Sequence, residues 1–217
     1  MKGEIKLMNL RVDNISKKFG KNGLKETGFL LEQGDYLCIT GQSGCGKTTL
    51  LNIVSGMLYP DTGDVYLDDK SIFNDMKEKE RTQLRNHTIG YMMQGNSLIP
   101  DLTVWQNIVC PIELTGKRAD KTEVEKLLER LGIDNVCESY PSEISGGEYR
   151  RVLLARILML DTGILLVDEP TSNLDEKSAV IVREVLNEIH VKKGTSLIVV
   201  THDKDFFSYN PKRLNLE

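Results

Sequence analysis

No apolar run in this 217-residue chain approaches the roughly 20 residues a helix needs to cross a bilayer, and no charged-then-apolar leader pattern opens it. Any membrane role is therefore expected to be borrowed from a partner. CxxC spacing is missing too: Cys38, Cys45, Cys110 and Cys137 stand far apart, which points to a reducing, cytosolic setting. Nor is basic charge in excess. The 28 Lys and Arg are intermixed with 32 Asp and Glu for a net charge of -4, so no basic stripe advertises a nucleic-acid groove and no such partner is expected. Binding of single phosphates stays open. Internal repeats and low-complexity linkers are absent as well. What is present is 40% hydrophobic composition, enough for a substantial core and one large domain with a subdomain, and enough to exclude a small disordered protein.

The pattern of periods divides the chain into three stretches. From Ile5 to Val65 it reads as two strands, a buried apolar strand at Tyr36 to Thr40, a Gly-rich turn, and a helix from Thr48 to about Met57. Between about Lys77 and Asp161 it turns mainly helical, with Val124, Leu127, Leu128 and Leu131 spaced to share one face, and this stretch looks inserted. Strands return after Gly163, at Ile164 to Val167 and Ser196 to Val200. They flank a helix that carries Ile181, Val182, Val185, Leu186 and Ile189 on one side. Short buried strands alternating with helices imply a largely parallel sheet covered on both faces.

Two motifs carry chemistry. Gly41-Gln-Ser43-Gly44-Cys45-Gly46-Lys47-Thr48 follows the apolar strand and opens the helix, the context that a phosphate-binding loop requires. Its glycines let the backbone curl so that successive N–H groups point inward, and the helix N-terminus adds partial positive charge. Lys47 would reach the β- and γ-phosphates, Thr48 would offer its hydroxyl to Mg²⁺, and Thr49 starts the packed helix. The second motif, Ile164-Leu-Leu-Val-Asp168-Glu169-Pro170, ends an apolar strand in adjacent carboxylates at the sheet edge where ligands bind. There Asp168 would hold Mg²⁺, and Glu169 would orient and deprotonate the water that attacks the γ-phosphate. Alone, such acids read equally well as a solvated turn; the upstream loop shifts the balance.

Between these motifs, Ser145-Gly146-Gly147-Glu148 precedes a helix, and with it the chain resembles an ATP-binding cassette (ABC) ATPase along its whole length. The resemblance implies an α/β fold of P-loop type with a mostly parallel core, an antiparallel β subdomain and an inserted helical subdomain. It divides the chain into an ATP-binding core at about 1–84 and 162–217 and a helical signature subdomain at about 85–161. It further implies Gln94 as the glutamine that contacts metal and water, Asp175 as the end of the D-loop, His202 as the histidine beside the γ-phosphate, and Phe19 as the ring stacked on adenine. Ser145, Gly146 and Gly147 would bind the ATP held by a second subunit, so that a dimer sandwiches two ATP. This sequence departs from the family pattern at Ile144 for leucine, Glu148 for glutamine, Asn173 for a small apolar residue and Phe19 for tyrosine. Glu148 would bring a carboxylate near the shared nucleotide, while an exchange of one aromatic for another leaves stacking intact.

The stretch Arg85-Asn86-His-Thr-Ile-Gly-Tyr-Met-Met-Gln94, with Ser97 to Pro100, Asn107 and Pro111, is similar to the macrolide-efflux, lipoprotein-releasing and antimicrobial-peptide-exporting branch. That branch implies ATP-driven closure on a separate integral-membrane permease, with this subunit peripheral on the cytoplasmic face. A related cell-division ATPase signals to wall hydrolases without transport, and the two classes overlap in sequence. DNA-repair members need a long coiled-coil insertion and GTPases an Asn-Lys-x-Asp motif, neither of which is here.

Overall fold

The computed structural model describes residues 8–20, 22–95 and 97–217, with the side chains of 207–209 outside the description; Ile5, the expected start of the first strand, also lies outside it. Among the described residues nine strands form two sheets. β1 (Leu10–Phe19), β2 (Asn22–Leu31), β4 (Thr62–Leu67) and β5 (Lys70–Ser71) make an antiparallel sheet in the order β2-β1-β4-β5. β3 (Tyr36–Gly41), β6 (Ile89–Met92), β7 (Ile164–Asp168), β8 (Ser196–Val200) and β9 (Lys212–Leu216) make a parallel one in the order β6-β7-β8-β3-β9.

Alternation along the parallel strands sorts side chains into two cores. Ile164, Leu166, Ile198 and Val200 face the antiparallel sheet together with α1 (Lys47–Val54) and Leu84 of α2 (Glu78–His87). Leu165, Val167, Leu197 and Val199 face the opposite way. There they meet α3 (Val104–Leu114), α4 (Lys121–Leu131), α5 (Gly146–Leu158) and α6 (Glu176–Lys193). The central parallel strands β7 and β8 are buried on both faces, which is why they read as apolar runs.

The apolar periods map onto real faces. Val124, Leu128 and Leu131 of α4 and Val182, Val185 and Leu186 of α6 are buried, while Leu127, Ile181 and Ile189 pack at the margin. α1 stops short of the expected Met57, because Gly56 takes a left-handed φ of 71° and the amides of Met57 and Leu58 turn back to the Asn52 carbonyl. β6 pairs with β7, so the opening strand of the 85–161 stretch is part of the parallel sheet. Among the described residues no helix is long and apolar enough to cross a membrane, and all four cysteines are free.

Candidate nucleotide site

The parallel strands β3, β7 and β8 end on one edge of the sheet, and the segments that follow them converge there. After β3 the chain coils through Ser43 to Gly46 into α1. Gly44 (φ 82°) and Gly46 (φ 101°) both adopt the left-handed backbone. A Cβ on Gly46 would stand 2.9 Å from the Leu24 Cα, and one on Gly41 would stand 2.4 Å from the Leu216 carbonyl oxygen, so the loop is packed where it needs glycine. Lys47 folds over the loop, its Nζ donating to the carbonyls of Gly41 at 2.7 Å and Gln42 at 2.9 Å.

Thr48, at the start of α1, donates its hydroxyl to Asp168 Oδ2 at 2.7 Å. Asp168 is buried at the end of β7, and burial raises its pKa above the ordinary carboxylate value against the pull of the Thr48 hydrogen bond, Arg150 and Lys47. Glu169 follows with a left-handed φ of 51°, unusual for a side-chain-bearing residue, and its amide donates to the Val200 carbonyl at 2.8 Å. Its side chain is 15% exposed, and desolvation raises its pKa too, offset by the charge and backbone amide of His202. The His202 ring, 62% exposed beyond β8, has Nε2 at 3.5 Å from Glu169 Oε1.

A cleft of about 850 Å³ opens over these groups. Ser43, Gly44, Gly46, Lys47, Thr48 and Thr49 form its floor, with Asp168, Glu169 and His202 along one wall. Gln94, just past β6, and Phe19, at the end of β1 and 52% exposed, also line it. The remaining residues expected from sequence lie elsewhere. Gly41 and Cys45 border an adjoining hollow on the far side of the loop. Ser145 is the N-cap of α5, and Gly146 and Gly147 form its first turn, away from the cleft of their own chain. Asp175 caps α6, its carboxylate occupied by the amide and hydroxyl of Ser178. The cleft also holds residues that motif reading passed over, Arg150 from α5 and Thr171 from the turn after Glu169, beside Ser172, the first residue of the expected Ser172–Asp175 D-loop. Arg150 sits five residues beyond Ser145, and only the path of α5 brings it to the carboxylates.

These groups suit a polyanion with a hard cation. Backbone amides, an ammonium and a helix N-terminus face a hydroxyl and two carboxylates. Among the described residues no group of three or more His, Cys, Asp or Glu is placed to hold a metal ion. A cation beside Thr48 and Asp168 would thus draw most of its ligands from phosphates and water, as Mg²⁺ does.

Residues 24–172 match the ABC transporter family, and that span runs from β2 through the loop, both carboxylates and the α5 N-terminus. The chain belongs to the ABC transporter family. This ABC ATPase is 35% identical over 207 residues to the ABC transporter ATP-binding protein YtrE of Bacillus subtilis, covering 93% of this chain and 89% of YtrE. It is 37% identical over 182 residues to the lipoprotein-releasing system ATP-binding protein LolD of Saccharophagus degradans, covering 83% and 79%. The structure resembles a dimeric post-hydrolysis state of the ATP-binding cassette MJ0796 bound to ADP and Pi, with a TM-score of 0.85, 30% identity and coverage of 96% and 94%. As an ABC ATPase the chain binds ATP and hydrolyses it to ADP and phosphate.

Proposed function

We propose that this ABC ATPase closes as a homodimer, or with a paired ABC subunit, around two ATP and Mg²⁺, and thereby drives a separate integral-membrane permease. The observation that carries the reading is the meeting of Lys47, the Thr48–Asp168 pair and Glu169 at one mouth of the cleft. In this reading the amides of Ser43 to Thr49 and the Lys47 ammonium bind the phosphates, and Phe19 offers a ring face to the base. Thr48, Asp168 and Gln94 would hold Mg²⁺, which supplies charge neutralisation on the phosphate oxygens. Glu169, whose amide donates to the Val200 carbonyl and whose carboxylate lies beside His202, orients a water and accepts its proton, and His202 would donate to a phosphate oxygen.

Ser145, Gly146 and Gly147 would serve the other subunit's nucleotide. They stand at the N-terminus of a 13-residue helix, outside their own cleft, where helix charge favours an anion. Asp175 would hold the turn that lies between the two sites. We assign the ATP-binding role to about 1–84 and 162–217, and that of a lever to about 85–161. The lever's root carries a hollow of about 310 Å³ lined by Met57, Met93, Pro111 and Leu114, with Leu114 81% exposed. Such an apolar patch suits a permease segment and would keep the subunit peripheral on the cytoplasmic face of the membrane. The cargo class favoured by the resemblance to the lipoprotein-releasing ATPases is a peptide, lipoprotein or drug that is exported or extracted.

The Glu169→Gln variant tests this. It keeps shape and hydrogen bonding but cannot take a proton, so MgATP should convert it from monomer to a stable dimer in size-exclusion chromatography with light scattering. Phosphate release should fall by about a hundredfold or more. Wild-type turnover in that variant would remove Glu169 as the base.

A further inference from the structure

One cation in the cleft has no part in the reading above. Arg150 leaves α5 and lines the same cleft as Lys47, Asp168 and Glu169. One arm of its fork, Nη2, donates to the Ser172 hydroxyl. That hydroxyl donates onward to the Glu169 backbone carbonyl at 3.0 Å, beside the Ser172 amide, which reaches the same oxygen at 3.2 Å. The other arm, Nη1, is buried without a hydrogen-bond partner. Burial also lowers the pKa of the guanidinium, while Asp168 and Glu169 act to raise it. A half-satisfied, desolvated guanidinium is a poor device for stability, because the fold gains one hydrogen bond and leaves a donor unmet. What it does hold is the turn that carries Glu169. Glu169 sits at φ 51° with a side chain, and the Arg150–Ser172–Glu169 chain of hydrogen bonds closes that turn from the α5 side.

We propose that Arg150 is a positioning residue for Glu169. Acting through Ser172, it clamps the Glu169–Ser172 turn to the helix that begins at Ser145, so the orientation of the carboxylate depends on where that helix sits. The inference rests on Glu169 being the base. It assigns Arg150 no contact with the nucleotide.

The experiment uses the full chain. Steady-state phosphate release gives kcat and KM for MgATP, and titration with a fluorescent ADP analogue gives nucleotide affinity, for Arg150→Ala, Arg150→Lys, Ser172→Ala and Arg150→Ala/Ser172→Ala. Arg150→Ala and Ser172→Ala should each lower kcat about 10- to 100-fold, as a misplaced catalytic group does, with KM and analogue affinity unchanged within about twofold. The double variant should be no slower than either single one, because both break the same link. Arg150→Lys should recover most of the turnover, since the Ser172 bond uses one donor only. Thermal melting of each variant distinguishes a repositioned carboxylate from a damaged fold, and the lysine variant keeps the test open should Arg150→Ala fold poorly. The proposal is overturned by wild-type kcat in Arg150→Ala, by additive losses in the double variant, by no recovery in Arg150→Lys, or by a loss that appears in KM and analogue affinity and so marks a direct phosphate contact. Glu169→Gln run alongside separates the two levels: if it turns over normally, the base assignment has failed; if it is inactive while Arg150→Ala is not, only the link has.

Discussion

Lys47 illustrates how a single charge in the cleft is held before any anion reaches it. Its ammonium sits on the carbonyls of Gly41 and Gln42, at the rim of the loop. A phosphate gives that ammonium a stronger partner than two neutral carbonyls, so the gain appears on binding. Lys47→Ala should therefore weaken ATP binding by about 10- to 100-fold, the worth of a charge-assisted hydrogen bond, and abolish measurable hydrolysis. Titration with a fluorescent ATP analogue and a phosphate-release assay check both. The melting temperature should barely move, because the carbonyls it leaves return to water. Glu169 and Asn173 illustrate what a motif does not display. Both stand at positive φ, 51° and 61°, and the asparagine that departs from the family pattern is a residue type that tolerates the left-handed backbone.

At the scale of elements, the polar hub under the lever is Asn107 on α3. It is fully buried, its Nδ2 donates to the carbonyls of Ile99, Leu102 and Thr103, and its Oδ1 accepts from the Ile99 amide at 2.8 Å. These bonds fix the loop from Ile99 to the Thr103 cap of α3. Asn107→Leu takes the side-chain partner from the Ile99 amide and the Leu102 carbonyl, while the Ile99 and Thr103 carbonyls keep the Leu102 and Asn107 amides, and should cost about 1–3 kcal/mol, read as a lower urea midpoint at unchanged slope. ATP binding to the loop on the far side of the sheet should persist. Sequence patterns gave the helices with long apolar faces, α4 and α6, because burial on one side leaves a period that survives any tertiary context. They did not give β5, with two residues, or β9, where Lys212, Arg213 and Asn215 leave only Leu216 buried at a sheet edge. Edge strands are defined by their neighbours, not by a period of their own. The same reasoning explains Arg150. Lys47, Thr48, Asp168 and Glu169 are legible because their spacing within continuous motifs encodes their geometry, whereas Arg150 reaches Ser172, 22 positions away, only through the packing of α5.

For the whole molecule the decisive charge is Glu148. The sequence suggests a carboxylate near the shared nucleotide; in the structure that carboxylate folds back onto the N-cap of its own helix. Glu148 Oε2 accepts from the Ser145 amide at 2.8 Å and from the Ser145 hydroxyl at 2.7 Å, and these bonds hold its carboxyl below the usual range. The capping box stabilises α5 and commits the hydroxyl proton that, in the proposed dimer, a phosphate of the facing subunit would take. Closure would then require Ser145 to exchange one anionic acceptor for another, with the carboxylate left close to a polyphosphate. Like charges brought together as water leaves oppose association, and the effect weakens as salt screens it. Glutamine at this position can still accept from the Ser145 amide, so helix capping survives while the repulsion does not. In the Glu169→Gln background, Glu148→Gln should therefore tighten MgATP-dependent dimerisation by on the order of tenfold, equivalent to about 1.4 kcal/mol, with the gain shrinking at high ionic strength. Sedimentation equilibrium over a salt series measures it. Adding Ser145→Arg should abolish the dimer in either background, since a long cation in place of a small hydroxyl obstructs close backbone approach. A Glu148→Gln variant that dimerises no more tightly than its parent would mean that the carboxylate stays folded on Ser145 during closure, leaving the helix N-terminus and the amides of Gly146 and Gly147 to face the phosphate.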